Sequence, residues 1–259
     1  MINEERMKLK LNKKIVSQYH SPAQIARVLT EDWAKRMSYC PNCGSVLTNY
    51  ENNRPVADFY CQNCREEYEL KSKKNAMGKK ILDGAYRAML KRLQSNSNPN
   101  FFFLNYDLQS YEVTNFIVIP KHFFVPEIII PRKNGIPGRP NYIMCSIDLS
   151  GIPESGKIFY VKNRREKPKE TVLKNWRKTL FLREEKKSNL RGWILDIMKC
   201  IDSLGKSEFT LRELYNFENA LSKKYPNNKH IKDKIRQQLQ LLRDKNYLEF
   251  LGGGKYKLA

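Results

Sequence analysis

Asp58 is followed, after ten intervening residues, by Glu69-Leu70-Lys71, an acid and then an acid-x-lysine triplet. Two carboxylates supply the hard anionic oxygens that suit Mg²⁺, an ion that keeps several of its waters and bridges phosphate oxygens; the Leu70 carbonyl is a candidate further ligand. A metal so placed acidifies an attacking water and offsets charge on a pentacovalent phosphorus, while the Lys71 ammonium positions that water or stabilises the same charge. This set implies Mg²⁺-dependent hydrolysis of a phosphodiester, with Asp58, Glu69 and Lys71 as the catalytic candidates and Asp58, Glu69 and Leu70 as the metal ligands. Glu31 or Asp32 is a candidate to complete the metal shell.

Such a set needs elements that hold it. In a strand, residues two apart share a face, so Glu69 and Lys71 emerge together while Tyr68 and Leu70 point to the core. Asp58 follows the apolar Pro55-Val56-Ala57, as an acid at the end of a buried strand would. The pair is wrapped around Cys40-x-x-Cys43 and Cys61-x-x-Cys64, with 17 residues between the knuckles. Two thiolate pairs at that spacing close on one tetrahedral zinc. Four cysteinates leave no open position for a reactive water, so the expected zinc is structural and locks the hairpin that carries the acids. Cys145 and Cys200 stand alone.

Lys plus Arg number 48 against 27 Asp plus Glu, a net charge of +21, and the excess recurs in residues 1–120, 121–189 and 190–259. A charge spread through the chain points to a polyanionic partner rather than to a detachable tail. No run approaches the apolar length of a membrane span, and Met1 to Lys14 lacks the apolar stretch of a secretory signal, so a cytoplasmic protein without membrane contact is expected. His20, His122 and His230 match no histidine-based hydrolase spacing. Gly151 to Lys157, GIPESGK, imitates a phosphate-binding loop, but Ile158 replaces the required Ser or Thr and a strand-like KIFYV follows, so no nucleotide cofactor is expected.

Ser21-Pro22-Ala23-Gln24 has the form of a capping box opening a helix to about Met37. Strand-like runs at 56–60 and 67–71 make the hairpin, and a second helix is expected over Ile81 to Leu93, with Leu82, Ala85, Tyr86, Met89 and Leu93 on one stripe. Phe101 to Tyr106 and Val113 to Ile119 have the composition of a sheet interior. Residues 131–141 and 162–169 read as basic loops, and Glu184 to Ser188 as a polar link. Beyond it, Arg191 to Leu204, a Thr210-Leu211-Arg212-Glu213 capping box opening a helix to about Lys223, His230 to Lys245 and two short strands around Gly252-Gly253-Gly254 spell a winged helix. The expected architecture is an α/β nuclease domain with the cysteine site over residues 1–184 and a winged-helix DNA-binding domain over 189–259.

The chain resembles the methyl-directed type IIM restriction endonucleases of the DpnI kind. The resemblance runs from about Ile25 to Leu258 and rests on LTEDW (29–33), SYCPNCG (38–44), ENNRPVADFYC (51–61), ELKSKK (69–74), DGAY (83–86), NPNFFFL (98–104), IDLS (147–150), SEFTL (207–211) and HIKDKIRQQLQLLRDK (230–245). It implies a PD-(D/E)XK core with a structural zinc and a C-terminal winged helix, cutting double-stranded GATC whose adenine is methylated. The family's catalytic positions fall on Asp58, Glu69 and Lys71, and its zinc ligands on Cys40, Cys43, Cys61 and Cys64. Where the family presents a tryptophan to the methylated base pair, this chain has Tyr142, which keeps a flat apolar face and adds a hydroxyl. Arg139 in the basic loop and His230, Lys232, Arg236 and Gln237 of the recognition helix are the other DNA-contact candidates, since Arg suits guanine and Gln suits adenine edges. A second reader on the same chain permits action as a monomer, which is the expectation. Two other classes stay open: a zinc-containing winged-helix regulator without catalysis, and a repair or junction nuclease with the same core.

Overall fold

The computed structural model describes residues 7–50, 57–76, 78–95, 97–132, 138–139, 142–185 and 188–259, with the side chains of 188 and 189 outside that description. The described chain divides into two units, the first comprising 1–150 and 155–179 and the second 151–154 and 180–259.

In the first unit, apolar Phe101 to Leu104 and Val113 to Ile119 form the centre of a seven-stranded mixed sheet. Its strands are β1 (Thr48–Asn49), β2 (Phe59–Tyr60), β3 (Glu67–Lys74), β5 (Asn100–Tyr106), β6 (Val113–Ile119), β9 (Ile158–Lys162) and β10 (Arg165–Glu166), side by side in that order. All neighbours are antiparallel except β3 and β5, which run parallel with Tyr68 opposite Asn100 through Lys74 opposite Tyr106. Parallel neighbours need a long crossover. Here it holds β4 (Lys80–Ala85) and helix α2 (Tyr86–Gln94), and β4 joins a smaller antiparallel sheet with β8 (Met144–Asp148) and β7 (Ile129–Pro131) in the order β4-β8-β7. Helix α1 (Pro22–Met37) buries Leu29, Thr30, Trp33 and Ala34; the Trp33 ring meets Phe116 edge-on at 5.2 Å and its indole N–H donates to the Lys8 carbonyl at 2.8 Å. Helix α3 (Lys169–Arg177) buries Val172 and Trp176.

Three local expectations in this unit are corrected. Pro22 does open α1, but the Ser21 side chain makes no cap hydrogen bond. The segment 81–85 is strand, not helix: Leu82 is exposed, Asp83 is buried, and the helix begins only at Tyr86. The poor helix formers Asp83 and Gly84 yield to cross-strand pairing with β8, a partner about sixty residues away in sequence. The basic run 162–169 begins as a hairpin, β9 to β10, turning on Asn163 and Arg164 with φ of 51° and 60°, the left-handed pair that matches strand twist, and ends at the first residue of α3.

The second unit packs α4 (Ser188–Ser203), α5 (Leu211–Tyr215), α6 (Glu218–Lys224) and α7 (Ile231–Asp244) with a sheet of β11 (Glu208–Thr210), β13 (Lys255–Leu258) and β12 (Leu248–Gly252), in the order β11-β13-β12. The Thr210 box forms in full: its hydroxyl accepts from the Glu213 amide at 3.3 Å and Glu213 accepts from the Thr210 amide at 2.8 Å. The single helix expected to about Lys223 is two helices, because the chain tightens at Asn216 and Phe217, whose amides bond back three residues to Glu213 and Leu214. Helix α7 buries Ile231, Ile235, Gln238, Leu239 and Leu242. The β12–β13 turn needs three successive positive φ angles, 87°, 56° and 74°, which Gly252, Gly253 and Gly254 supply. Among the described residues no helix is long and apolar enough to cross a membrane.

Candidate active site

The two cysteine knuckles share one backbone design. In the first, the Gly44 amide donates to the Cys40 carbonyl at 2.7 Å and the Cys40 amide to the Ser45 carbonyl at 2.8 Å; in the second, Arg65 bonds to Cys61 at 2.9 Å and Cys61 to Glu66 at 2.8 Å. The residue after each second cysteine, Gly44 or Arg65, is left-handed, at 80° or 64°. The four Sγ atoms lie within 4.8 Å of one another, with Cys40 to Cys64 and Cys43 to Cys61 each 3.4 Å apart. Tetrahedral bonds of about 2.3 Å between zinc and sulfur set sulfur atoms about 3.8 Å apart, whereas a disulfide needs about 2.05 Å. The donor set therefore fits a thiophilic ion and not a pair of disulfides. Helix α3 backs the first knuckle through Trp176, whose indole donates to Asn42 Oδ1 at 3.1 Å.

Tyr68 links this cluster to the acids. Its ring stacks on Phe102 at 4.7 Å, its hydroxyl lies 3.1 Å from Cys40 Sγ, and the next residue is Glu69. Asp58 stands just before β2, held to β3 by its amide on the Tyr68 carbonyl at 2.9 Å and by the Leu70 amide on its Oδ2 at 2.6 Å. Burial pushes the Asp58 carboxyl above its ordinary value; the Leu70 amide pulls it back, and the neighbouring charge of Glu31 raises it further. Of the two helix acids considered for the shell, Glu31 is thus the one felt at Asp58; it pairs with Arg27 at 2.6 Å, while Asp32 pairs with Arg36 at 2.7 Å.

Glu69 and Lys71 share a face of β3, and Lys71 Nζ lies 2.6 Å from Glu69 Oε1. Two further residues join them. Asp83, its side chain 4% exposed, holds the same ammonium at 2.7 Å, and Arg92 on α2 reaches Glu69 Oε2 at 3.1 Å. Burial works against the Lys71 charge, but Glu69 and Asp83 outweigh it and hold the amine above its ordinary value. The sequence did not single out either newcomer. No local signal marked them: along Lys80 to Asp83 burial alternates against polarity, exposing the apolar Leu82 and burying the charged Asp83. Leu70 is half-buried rather than fully in the core.

Tyr142 is half-buried; its amide donates to the Arg139 carbonyl at 3.0 Å, and its hydroxyl is 4.0 Å from where a Cβ on Gly84, the neighbour of Asp83, would stand. Arg139 is exposed. Residues 133–137 and 140–141 of the expected basic loop, 51–56 before Asp58, and 186–187 of the expected link lie outside the described residues. On α7 and at its start, His230, Lys232, Arg236 and Gln237 are all exposed. Lys232 pairs with Glu218 at 3.3 Å, Arg236 with Asp233 and the Tyr215 hydroxyl, and Gln237 accepts from Lys234 at 2.7 Å. His122 is buried against Thr179 at 3.0 Å, and a strand, β9, follows GIPESGK.

The model of the Dam-replacing family matches residues 7–185, and that of the Dam-replacing HTH domain matches residues 189–258.

Proposed function

The chain belongs to the DpnI, or Dam-replacing, family, and from that premise we propose that it is a type II restriction endonuclease that hydrolyses double-stranded DNA at adenine-methylated GATC in the presence of Mg²⁺. The observation that carries this reading is the convergence of Asp58, Glu69 and Lys71, with the Leu70 amide clamped on Asp58 beside them. Asp58 is a carboxylate that burial leaves short of compensating charge, and its oxygens together with those of Glu69 are hard donors; that chemistry fits Mg²⁺, which Asp58, Glu69 and the Leu70 carbonyl would hold. Bound there, the ion would supply a more acidic water and a counter-charge for the phosphate.

The chain's own residues do the rest. Asp83 fixes the Lys71 ammonium beside Glu69, where it would steady the nucleophile or the developing phosphate charge. Cys40, Cys43, Cys61 and Cys64 would hold a zinc, which would keep Asp58, at the edge of β2, and Glu69 on β3 in place through Tyr68. Tyr142 offers an apolar face to the methylated base. Arg236, Gln237 and Lys232 on α7, with His230 at its start, would form the second reader. A methyl seated in an apolar pocket is worth only about 1–3 kcal/mol, so two domains that must both accept it multiply modest discriminations. One chain carrying both readers would act as a monomer in the cytoplasm.

Digestion of one GATC plasmid, prepared with and without adenine methylation, in Mg²⁺ and in chelator tests this. Cutting confined to methylated DNA with Mg²⁺ is the expected result. Cutting of both plasmids would remove the methyl dependence, and absence of cutting under every condition would leave a metal-stabilised DNA-binding regulator as the better account.

A further inference from the structure

We infer that Arg92 is a phosphate-binding residue held in reserve by Glu69 and released when a divalent cation claims that carboxylate; this rests on the nuclease reading above. Both Glu69 oxygens are taken, Oε1 by Lys71 and Oε2 by Arg92. A cation drawing on Glu69 must break or weaken one of these ion pairs. The two partners are not equally provided for. Lys71 keeps a second, nearly buried carboxylate in Asp83 at 2.7 Å. Among the described residues Arg92 pairs with no second carboxylate, and its side chain is 26% exposed, so it opens toward solvent.

Arg92 also cannot drift far. Its helix is anchored on both sides of it by buried Met89 and Leu93. A guanidinium cannot shed its charge, and its planar fork matches two oxygens of one anion. Once Glu69 turns to a cation, the anion of matching geometry that arrives with the substrate is a DNA phosphodiester. Exchange of Arg92 from carboxylate to phosphate would then tie metal loading to DNA engagement, and until the cation arrives Arg92 competes with it for Glu69. Lys71 and Asp83 stay paired through the exchange.

The test uses the full-length protein with its cysteine centre intact, and two variants, Arg92→Met and Arg92→Lys. Calorimetric titration with Ca²⁺ in the absence of DNA reads metal affinity, and Mg²⁺-dependent cleavage of a methylated GATC duplex reads turnover. Arg92→Met is expected to bind Ca²⁺ about tenfold more tightly, because a nearby like charge is gone, yet to cleave about 10² to 10³-fold more slowly, the usual loss for a charge-stabilising donor. A general structural defect would weaken both. Arg92→Lys keeps the charge without the fork, so Ca²⁺ affinity should stay near that of the parent while cleavage falls at least about tenfold. Unchanged or weaker Ca²⁺ binding by a folded Arg92→Met, or parental cleavage by either variant, overturns the inference. Should Arg92→Met fail to fold, parental cleavage or altered Ca²⁺ affinity in Arg92→Lys does so. A parent protein that neither binds Ca²⁺ nor cuts DNA sinks the nuclease reading instead.

Discussion

Removing the zinc proposed for the four-cysteine centre should unfold the first unit and leave the second standing. A structural zinc carries about 10–16 kcal/mol of apparent binding energy at neutral pH in small peptides, whereas a whole domain is stable by only about 5–15 kcal/mol. Loss of that ion would therefore consume most or all of the first unit's margin. Its knuckles tie the β1–β2 hairpin to α3 through Asn42 and Trp176, and to β3 through the Tyr68 hydroxyl at Cys40. The second unit has a separate core, around Ile197, Met198, Ile235 and Leu239, and contributes none of the four thiols. The three tryptophans report the outcome separately. Trp33 and Trp176 are fully buried in the first unit, while Trp193 belongs to the second and stacks on Tyr225 at 3.7 Å. Titration with a strong zinc chelator, followed by emission and far-ultraviolet circular dichroism, should show two tryptophans moving into water, partial loss of ellipticity, no cleavage on adding Mg²⁺, and retained DNA binding. Cys43→Ser should reproduce that state without chelator. A protein shown by mass spectrometry to hold no metal, yet with unchanged emission and full cleavage, would refute this account of the centre.

Other outcomes follow from single sites. Asp58 has a raised carboxyl pKa, so the stability carried by its neutral form is complete below the ordinary value of 3.8 and is lost as pH rises through the raised one; Asp58→Asn should melt higher than the parent at neutral pH without added Mg²⁺ and with the cysteine-site ion in place, show a flatter melting profile from pH 4 to 8, bind DNA and fail to cut it. Thr210→Ala removes the hydroxyl that accepts from the Glu213 amide, while the backbone amide at 210 still donates to the Glu213 side chain. It should cost about 1 kcal/mol and lower the second unit's melting temperature by about 4–8 °C, read by calorimetry with the first unit's transition unmoved. Tyr142→Ala should reduce the ratio of cleavage rates on methylated and unmethylated plasmid by about 10 to 200-fold if the ring seats the methyl; an unchanged ratio would reassign Tyr142 to loop packing.

The elements most legible in the sequence were those specified locally. The stripe on α1, the apolar runs of β5 and β6, the two knuckles and the capping box at Thr210 each declare themselves within about a dozen residues, and each forms within a residue or two of its expected bounds. What stayed hidden depends on partners distant in the chain. β4 is a strand because β8 pairs with it, and β11 is one because β13 does; neither partner is visible in a local window. The candidate site divides in the same way. Asp58, Glu69 and Lys71 carry their spacing on the surface of the sequence, whereas Asp83 and Arg92 reach the site only because β3 and β5 are parallel and the crossover must return over them. Ser21 shows the converse, a local signal that the folded chain does not use.

The seven matched positions between β3 and β5 make the acids a question of phase. Sliding β3 by one residue would exchange Glu69 and Lys71 for Tyr68 and Leu70, presenting an aromatic ring and an aliphatic chain where the carboxylate and amine belong. The cysteine knuckle that ends at Arg65, and the hydroxyl of Tyr68 on Cys40, anchor the strand at one end and so set that phase. One extra residue between Cys64 and Glu67 would keep every side chain of the site in the sequence and turn the site inside out, while two extra residues would restore the alternation at the cost of a longer loop.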